Sequence, residues 1–136
     1  ALSNFLSLNN DINELKYILA LLNSNMMNWL YRNSFNDVNI KPTDLELLPI
    51  PKIDEESQKP FIKLVDEILE AKQKIKDYKP LLDEAIKTNN FDREIALKKE
   101  LENLENICTT NEKTIDQMVY KLYDLTPDEI KIVEGV

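Results

Sequence analysis

Residues 97–125, LKKELENLENICTTNEKTIDQMVYKLYDL, carry apolar side chains at alternating spacings of three and four residues. This spacing is typical of an amphipathic helix, and from Leu101 onward it keeps the seven-residue period of a coiled coil. Asn111 falls at one position of this seam, where it either sets the packing register or caps a break in the helix, which the poor helix formers Thr109 and Thr110 favour. The apolar positions are Leu97, Leu101, Leu104, Cys108, Ile115, Met118, Leu122 and Leu125.

A second long helix is predicted upstream, beginning after the N-cap residue Asp54 and continuing to Pro80, which either ends or kinks it. The Thr88-Asn89-Asn90 stretch is expected to form the tip of a hairpin, with Asn90 as the N-cap of the next helix. The two long helices are therefore predicted to fold back on each other as an antiparallel, coiled-coil-like hairpin. The expected contacts join Ile68, Ile75 and Leu82 to Leu101, Leu104 and Cys108.

The first segment is predicted to be one long helix that ends around residues 32–34. Asp11 and Glu14 have the spacing of a capping box, so the helix is expected to begin properly near residue 11. If this seam is exposed, residues 5–29 offer a surface for a homodimer. Its members are Phe5, Leu8, Ile12, Leu15, Leu19, Leu22, Met26 and Trp29.

The region 33–53 holds three of the six prolines and is predicted to be a short extended segment. Residues 37–40 alternate polar and apolar side chains like a short strand, and Thr43 with Glu46 forms a second capping box. At the other end of the chain, Thr126, Pro127 and Glu129 predict a short capped helix that Gly135 ends. The fold class is therefore mainly α, with an antiparallel helical hairpin and a short extended, proline-containing segment.

The composition excludes several kinds of enzyme site. The chain has no histidine and a single glycine, Gly135, so it has neither a glycine-rich phosphate or cofactor loop nor a histidine-based nucleophile or metal site. Acidic clusters at predicted helix starts are expected to complement the helix dipole rather than to bind a metal ion. We therefore assign no catalytic and no metal-binding residue, and no cofactor, to this chain.

Charge and cysteine content bear on partners and compartment. Of the net charge of −8, residues 1–52 hold only −1, with four basic and five acidic side chains. Any nucleic-acid contact is therefore expected in the first third of the chain. The single cysteine, Cys108, cannot form an internal disulfide and is expected to be a small buried seam residue. No apolar run is long enough to span a bilayer, so we predict a cytoplasmic protein with no membrane partner.

Four residues are candidates for contact with DNA. Tyr31 and Arg32, beside Trp29, form an aromatic and basic cluster that could stack on a base, although aromatic residues at helical spacing more often belong to a core. Lys41 and Lys52 bracket the proline-containing segment, where they could contact phosphate. For these two residues the ordinary alternative is a solvated surface charge.

Three stretches in this order resemble the C-terminal specificity region of restriction–modification DNA methyltransferases. The first stretch, residues 21–51, looks like the end of a target-recognition domain. The second, residues 58–69, resembles the helix that follows that domain. The third closely resembles the C-terminal tail common in the single-chain type IIG group. The similarity covers most of residues 15–134 and is least clear over 76–110. The stretches are 21–51, with Leu47-Leu48-Pro49-Ile50-Pro51; 58–69, with Pro60-Phe61-Ile62; and 115–130, with Asp116-x-Met118-Val119-Tyr120-x-Leu122-Tyr123.

The resemblance implies a supporting role in a protein that recognises DNA and methylates adenine with S-adenosylmethionine. It assigns residues 1–53 to the end of the target-recognition domain and 54–136 to the hairpin and tail. The family's Asn-Pro-Pro-Tyr/Phe motif does not occur here, so no catalytic residue is carried over. DNA would be contacted through the parent protein, with the methyltransferase domain in cis or in trans. A type I specificity subunit and a stand-alone coiled-coil adaptor are the alternatives.

Overall fold

The computed structural model describes residues 12–34 and 50–135, and every regular element within them is an α-helix. The prediction of a mainly α fold is confirmed. The predictions for Asp11, for the strand at 37–40, for the capping box at 43–46 and for Lys41 lie outside the described residues. The helices are α1 (Ile12–Leu22), α2 (Asn25–Ser34), α3 (Glu55–Lys87), α4 (Phe91–Leu122) and α5 (Pro127–Glu134).

The described residues divide into two compact units. The hairpin unit is Leu64–Lys113, and the terminal unit takes its described residues from Ala1–Lys63 and Thr114–Val136. Helices α3 and α4 contribute to both units, because each unit boundary falls inside one of these long helices. The sequence predicts that a target-recognition domain ends at residue 53 and that the hairpin and tail begin at residue 54. This domain boundary stays a prediction.

The hairpin unit confirms the predicted antiparallel pairing of α3 and α4. The thiol of Cys108 lies 4.0 Å from the carbonyl oxygen of Ile68, which fixes the register of the two helices. The seam of α4 keeps its predicted three–four spacing, because Leu101, Leu104, Cys108 and Asn111 are all buried. On α3 the buried residues of the same unit are Val65, Ile68, Ala71 and Ala85.

The turn of the hairpin lies at 88–90, as predicted. Asn89 adopts a left-handed conformation with φ of 55°, and the Asn90 N–H donates to the carbonyl of Ala85 at 2.9 Å. This pairing, with a longer bond from the Thr88 hydroxyl at 3.4 Å, satisfies a carbonyl group in the last turn of α3. The side-chain oxygen of Asn90 then accepts the Arg93 N–H at 3.2 Å, so its predicted role as the N-cap of α4 is confirmed.

Of the two alternatives for Pro80, an end of the first long helix near residue 79 is wrong, and a kink stays a prediction. Helix α3 runs for 33 residues, from Glu55 to Lys87, with Pro80 inside it. A proline in a helix interior removes one backbone hydrogen bond and costs roughly 3 kcal/mol. Ala71 before it and Ala85 after it are both buried. We infer that packing on both sides of the proline outweighs the lost bond.

Asn111 lies inside a continuous helix, so the interpretation as a cap at a break is wrong. Its side-chain Nδ2 donates to the Glu67 carboxylate at 2.7 Å and to the Leu64 carbonyl at 3.4 Å, both on α3. Thr109 does not interrupt α4, because its hydroxyl donates to the Glu105 carbonyl one turn earlier. A buried amide bonded across the seam favours the register-setting interpretation of Asn111.

The predicted single N-terminal helix is interrupted, which corrects the prediction. α1 ends at Leu22 and α2 begins at Asn25. Ser24 explains the interruption, because its hydroxyl donates to the Leu21 carbonyl at 2.7 Å and accepts the Met27 N–H at 3.3 Å. A serine bonded to the backbone in this way is a typical N-cap. The buried face also differs from the predicted seam, since it comprises Tyr17, Ala20, Leu21, Ser24, Met26 and Met27.

Tyr17 connects α1 to the start of α3 in the terminal unit. Its ring packs edge-to-face on Phe61, with 5.4 Å between centroids, and its hydroxyl donates to the Pro51 carbonyl at 2.7 Å. Burial raises the pKa of Tyr17 to about 12, so the phenol remains a hydrogen-bond donor at neutral pH. Residues 50–54 therefore run beside α1 without helical structure and enter α3 at Asp54, whose carboxylate accepts the Ser57 N–H at 2.8 Å.

Helix α5 has both caps that the sequence predicts. Thr126 accepts the Glu129 N–H at 3.2 Å, and the Glu129 carboxylate accepts the Thr126 N–H at 2.8 Å. Pro127 stands at the first helical position, and Gly135 ends the helix in a left-handed conformation with φ of 74°. These local bonds orient α5 so that Val133 is buried.

We expect acid to loosen the start of α5. The backbone hydrogen bond from Thr126 lowers the pKa of Glu129 from its usual 4.5. A carboxyl group with a lowered pKa stabilises the fold above the unfolded-state pKa, and this contribution is lost as pH falls through the folded-state pKa. NMR titration should show the Thr126 amide signal moving with a midpoint below 4.5. In Glu129→Gln, which cannot titrate, this movement should disappear; a midpoint at or above the usual value would contradict the prediction.

Candidate nucleic-acid interface

Helix α2 separates its apolar and polar side chains onto two faces. Met26 and Met27 are buried, whereas Asn25, Asn28 and Arg32 are exposed. The exposed residues lie three and seven positions apart, which places them on one face of the helix. This arrangement gives α2 a polar face made of two amides and one guanidinium group.

The N-terminal end of this face is held by α4. The carboxylate of Asp116 accepts two hydrogen bonds from Asn25, one from its backbone N–H and one from its side-chain Nδ2, each at 2.9 Å. Together with the Ser24 cap, these bonds satisfy backbone N–H groups that a helix start leaves open. They set the position of α2, so the Asn25 amide has a structural role.

A pocket of about 410 Å³ lies between α2 and α5, and its lining combines several kinds of polar group. Arg32 lines the pocket and is exposed to solvent. Glu134, which also lines the pocket, accepts the Tyr120 hydroxyl at 3.4 Å. The lining residues are Asn25, Asn28, Tyr31, Arg32, Val133 and Glu134.

Tyr120 forms part of the support beneath this pocket. It is buried, and burial is the main cause that raises the pKa of its phenol, with the nearby Glu134 carboxylate adding to the shift. The phenol therefore remains protonated and donates its hydrogen bond to Glu134. This bond helps to hold the carboxylate of Glu134 in the lining of the pocket.

The side chains that line this pocket are of types that can bind nucleic acid. A guanidinium group binds guanine or phosphate, and an asparagine amide can bind the edge of adenine with both its donor and its acceptor. A carboxylate can accept a hydrogen bond from the amino group of a base, and an aromatic ring can stack on a base face. The Arg32, Asn28, Tyr31 and Glu134 side chains thus supply both donors and acceptors around one cavity.

The structure brings together two of the four DNA-contact candidates. Tyr31 and Arg32 line the same pocket, as their adjacency suggested. Lys52 is exposed in the stretch before α3, and Lys41 lies outside the described residues. Trp29, from the same sequence cluster, lines a different cavity of about 340 Å³ with Met26, Leu30 and Tyr123, so it belongs to an apolar environment.

Sequence reasoning missed three polar residues of this pocket, namely Asn25, Asn28 and Glu134. The spacing of Asn25, Asn28 and Arg32 was a signal that a helical projection of residues 25–34 would have shown. Glu134 had no such signal, because it reaches the pocket only through the packing of α5 against α2.

Within residues 12–34 and 50–135, no three metal-ligating side chains are grouped closely enough to hold an ion. Burial raises the pKa of the Cys108 thiol, which makes its reactive thiolate form rarer. None of the described helices has the length and apolar character that crossing a bilayer requires.

Comparisons with protein-family models, with curated proteins and with solved structures each find no match to this chain. The interpretation of the pocket between α2 and α5 therefore depends on the residues that line it and on their geometry.

Proposed function

We propose that this chain is the non-catalytic specificity part of an adenine-specific restriction–modification DNA methyltransferase. Two lines support the proposal. The first is the resemblance carried by residues 21–51, 58–69 and 115–130. The second is the polar face of α2, where Asn28, Tyr31 and Arg32 surround one pocket.

The observation that carries the proposal is the position of Arg32. Among the described residues that line the pocket it is the only basic one, it is exposed, and it lies one helical turn from the exposed amide of Asn28. Arginine and asparagine on one helical face can contact adjacent positions of a DNA groove or its backbone. In the proposed protein, α2 thus adds a contact that holds the duplex while another domain acts on adenine.

The hairpin unit has a different role in this proposal. Residues 64–113 contain nine basic and twelve acidic side chains, a balance that repels phosphate. We assign this unit to contact with protein rather than with DNA. The methyltransferase domain, in cis or in trans, would bind S-adenosylmethionine and perform the chemistry, because this chain has no glycine-rich loop for the cofactor.

Disulfide trapping tests the DNA contact, because it detects weak binding. Cys108 is the only cysteine and is buried, so Asn28→Cys introduces one accessible thiol. We expect this variant to couple to a short duplex that carries an activated disulfide on its backbone. The rate should exceed that of the matched Lys99→Cys variant by about tenfold, equivalent to about 1.4 kcal/mol of preferential contact.

Two further measurements show whether the trapping reports a real interface. Adding Arg32→Gln to Asn28→Cys should remove most of the preference, and raising the salt concentration should reduce it. Equal rates for Asn28→Cys and Lys99→Cys would overturn the assignment of α2 to DNA. Since both positions are exposed on helices, thiol accessibility alone should not separate them.

The identity of the parent protein has its own test, which is the coding sequence upstream of the Ala1 codon. An open frame that continues into a glycine-rich cofactor loop and Asn-Pro-Pro-Tyr would support the single-chain methyltransferase. A frame with a second recognition domain and no such motifs would indicate a type I specificity subunit. A start codon next to Ala1 would overturn both and favour the coiled-coil adaptor.

A further inference from the structure

A groove of about 500 Å³ runs along the hairpin unit between α3 and α4. Its floor is apolar, formed by Ala71 and Leu104, which are buried, and by Ile107, which is 41% exposed. A large aliphatic side chain that remains this exposed inside a groove gains free energy when another surface covers it. The groove is therefore a docking surface whose occupant can be inferred from its charges.

The charges along α3 change sign at the middle of the groove. Glu67 and Glu70 precede Ala71, whereas Lys74 follows it by less than one helical turn. Lys74 lies 3.3 Å from Glu70, and both side chains are exposed, so this pair is weak and can accept further partners. On α4 the polar side chains that line the groove are uncharged, namely Asn106, Thr110 and Asn111.

This order of charges is self-complementary. If two α3 helices pack antiparallel with their centres at Ala71, the carboxylates that precede Ala71 in one copy lie beside Lys74 of the other. Twofold symmetry repeats the same contact on the other side. Two other kinds of occupant fit the groove less well. A uniformly acidic helix would be repelled by Glu67 and Glu70, and a uniformly basic helix would be repelled by Lys74.

Ile107 adds an apolar contribution to the same arrangement. Its side chain is 41% exposed in the groove, so a second copy seated on the rim formed by Glu67, Glu70 and Lys74 would cover it. Apolar burial at Ile107 and charge pairing at the rim would then act together.

We propose that the α3–α4 groove of the hairpin unit is a twofold homodimer interface, with α3 of one copy antiparallel to α3 of a second copy. This surface differs from the seam of residues 5–29 that the sequence suggested. The inference uses only residues of the hairpin unit, so it does not depend on the proposed contact with DNA.

Sedimentation equilibrium of the whole chain tests the interface. The apparent mass should rise from 15.9 kDa toward twice that value as the protein concentration increases through the micromolar range. Lys74→Glu makes the charged rim entirely acidic and should raise the dimer Kd at least about tenfold. Lys99→Glu makes the same charge change at an exposed α4 residue outside the groove, so it should leave the Kd unchanged.

A complementary pair of variants makes the test specific. Glu70→Lys leaves the bond between Glu67 and Asn111 in place and gives the rim two basic groups, so this variant should dimerise more weakly alone than the wild type. When it is mixed with Lys74→Glu, the two chains should form a heterodimer. Circular dichroism should show wild-type helix content in each, which separates lost pairing from lost folding.

Three outcomes would overturn the proposal. A wild-type chain that stays monomeric into the millimolar range would leave the groove to a different partner. A dimer that Lys74→Glu and Lys99→Glu affect equally would use another surface, such as the predicted seam. Well-folded complementary variants that do not associate when mixed would contradict the antiparallel charge pairing.

Discussion

Replacing Leu21 with alanine should destabilise the chain by about 3 kcal/mol, because the substitution leaves a cavity in a core that has little room to collapse. Leu21 has no exposed surface, and Val119, another core residue of the terminal unit, has none either. A buried leucine loses both its transfer free energy and its packing contacts on truncation. Since small domains have only about 5–15 kcal/mol of total stability, the loss is a large fraction of it.

Urea unfolding, followed with hydrogen exchange of individual amides, measures this effect. The amides of α1 and α2 should lose protection most, because Leu21 lies in the terminal unit. The matched control is Leu69→Ala, which makes the same chemical change at a residue that is 48% exposed. It should cost less than about 1 kcal/mol. Equal losses for the two variants would contradict the assignment of Leu21 to the core.

The features that sequence predicted well are those determined by residues close together in the chain. Thr126 and Glu129 bond to each other across three residues, and Asn90 caps α4 through the Arg93 N–H. The seam from Leu101 to Asn111 also follows directly from the helical period. In each case the residues that form the pattern lie within a few helical turns of one another in the sequence. Tertiary packing therefore does not override the local preference.

The failed predictions have a common physical cause, which is competition between local preference and packing. Pro80 weakens a helix locally, yet α3 continues through it because buried residues lie on both sides. The break before α2 depends on the Ser24 hydroxyl, one of several polar groups between Leu22 and Met26 that could have capped a helix. The seam predicted as far as Leu125 also ends early, because α4 stops at Leu122 and Asp124 follows in a left-handed conformation with φ of 54°, although glycine is the usual residue there.

The candidate site shows the same division. The sequence identified Tyr31 and Arg32, because an aromatic residue next to a cation is visible without a structure. It did not identify Glu134, which is more than a hundred residues away and reaches the pocket through the packing of α5 on α2. Nor did it show that Asn25 bonds to Asp116 across 91 residues. Contacts at this separation require the tertiary fold.

The contact between Asp116 and Asn25 connects stability to the candidate site, because it fixes the start of α2. Asp116→Ala removes two hydrogen bonds to a carboxylate and should cost roughly 1.5 kcal/mol, the low end for charge-assisted bonds, since the site is partly exposed. Asp116→Asn keeps one acceptor and should cost less. A double-mutant cycle with Asn25→Ala isolates the pair from the other interactions of Asp116 and should give a coupling of about 1 kcal/mol.

The same substitution should disturb the pocket without abolishing the fold. Once Asp116 no longer holds Asn25, the start of α2 can fray, and Asn28 and Arg32 lose their fixed position relative to α5. We therefore expect Asp116→Ala to lower the disulfide-trapping preference of Asn28→Cys under conditions where circular dichroism shows a folded chain. An unchanged preference together with a measured loss of stability would show that Asp116 supports the fold alone. A reduced preference would make Asp116 a positioning residue for the α2 face, because its carboxylate holds Asn25 and is not itself among the residues that line the pocket.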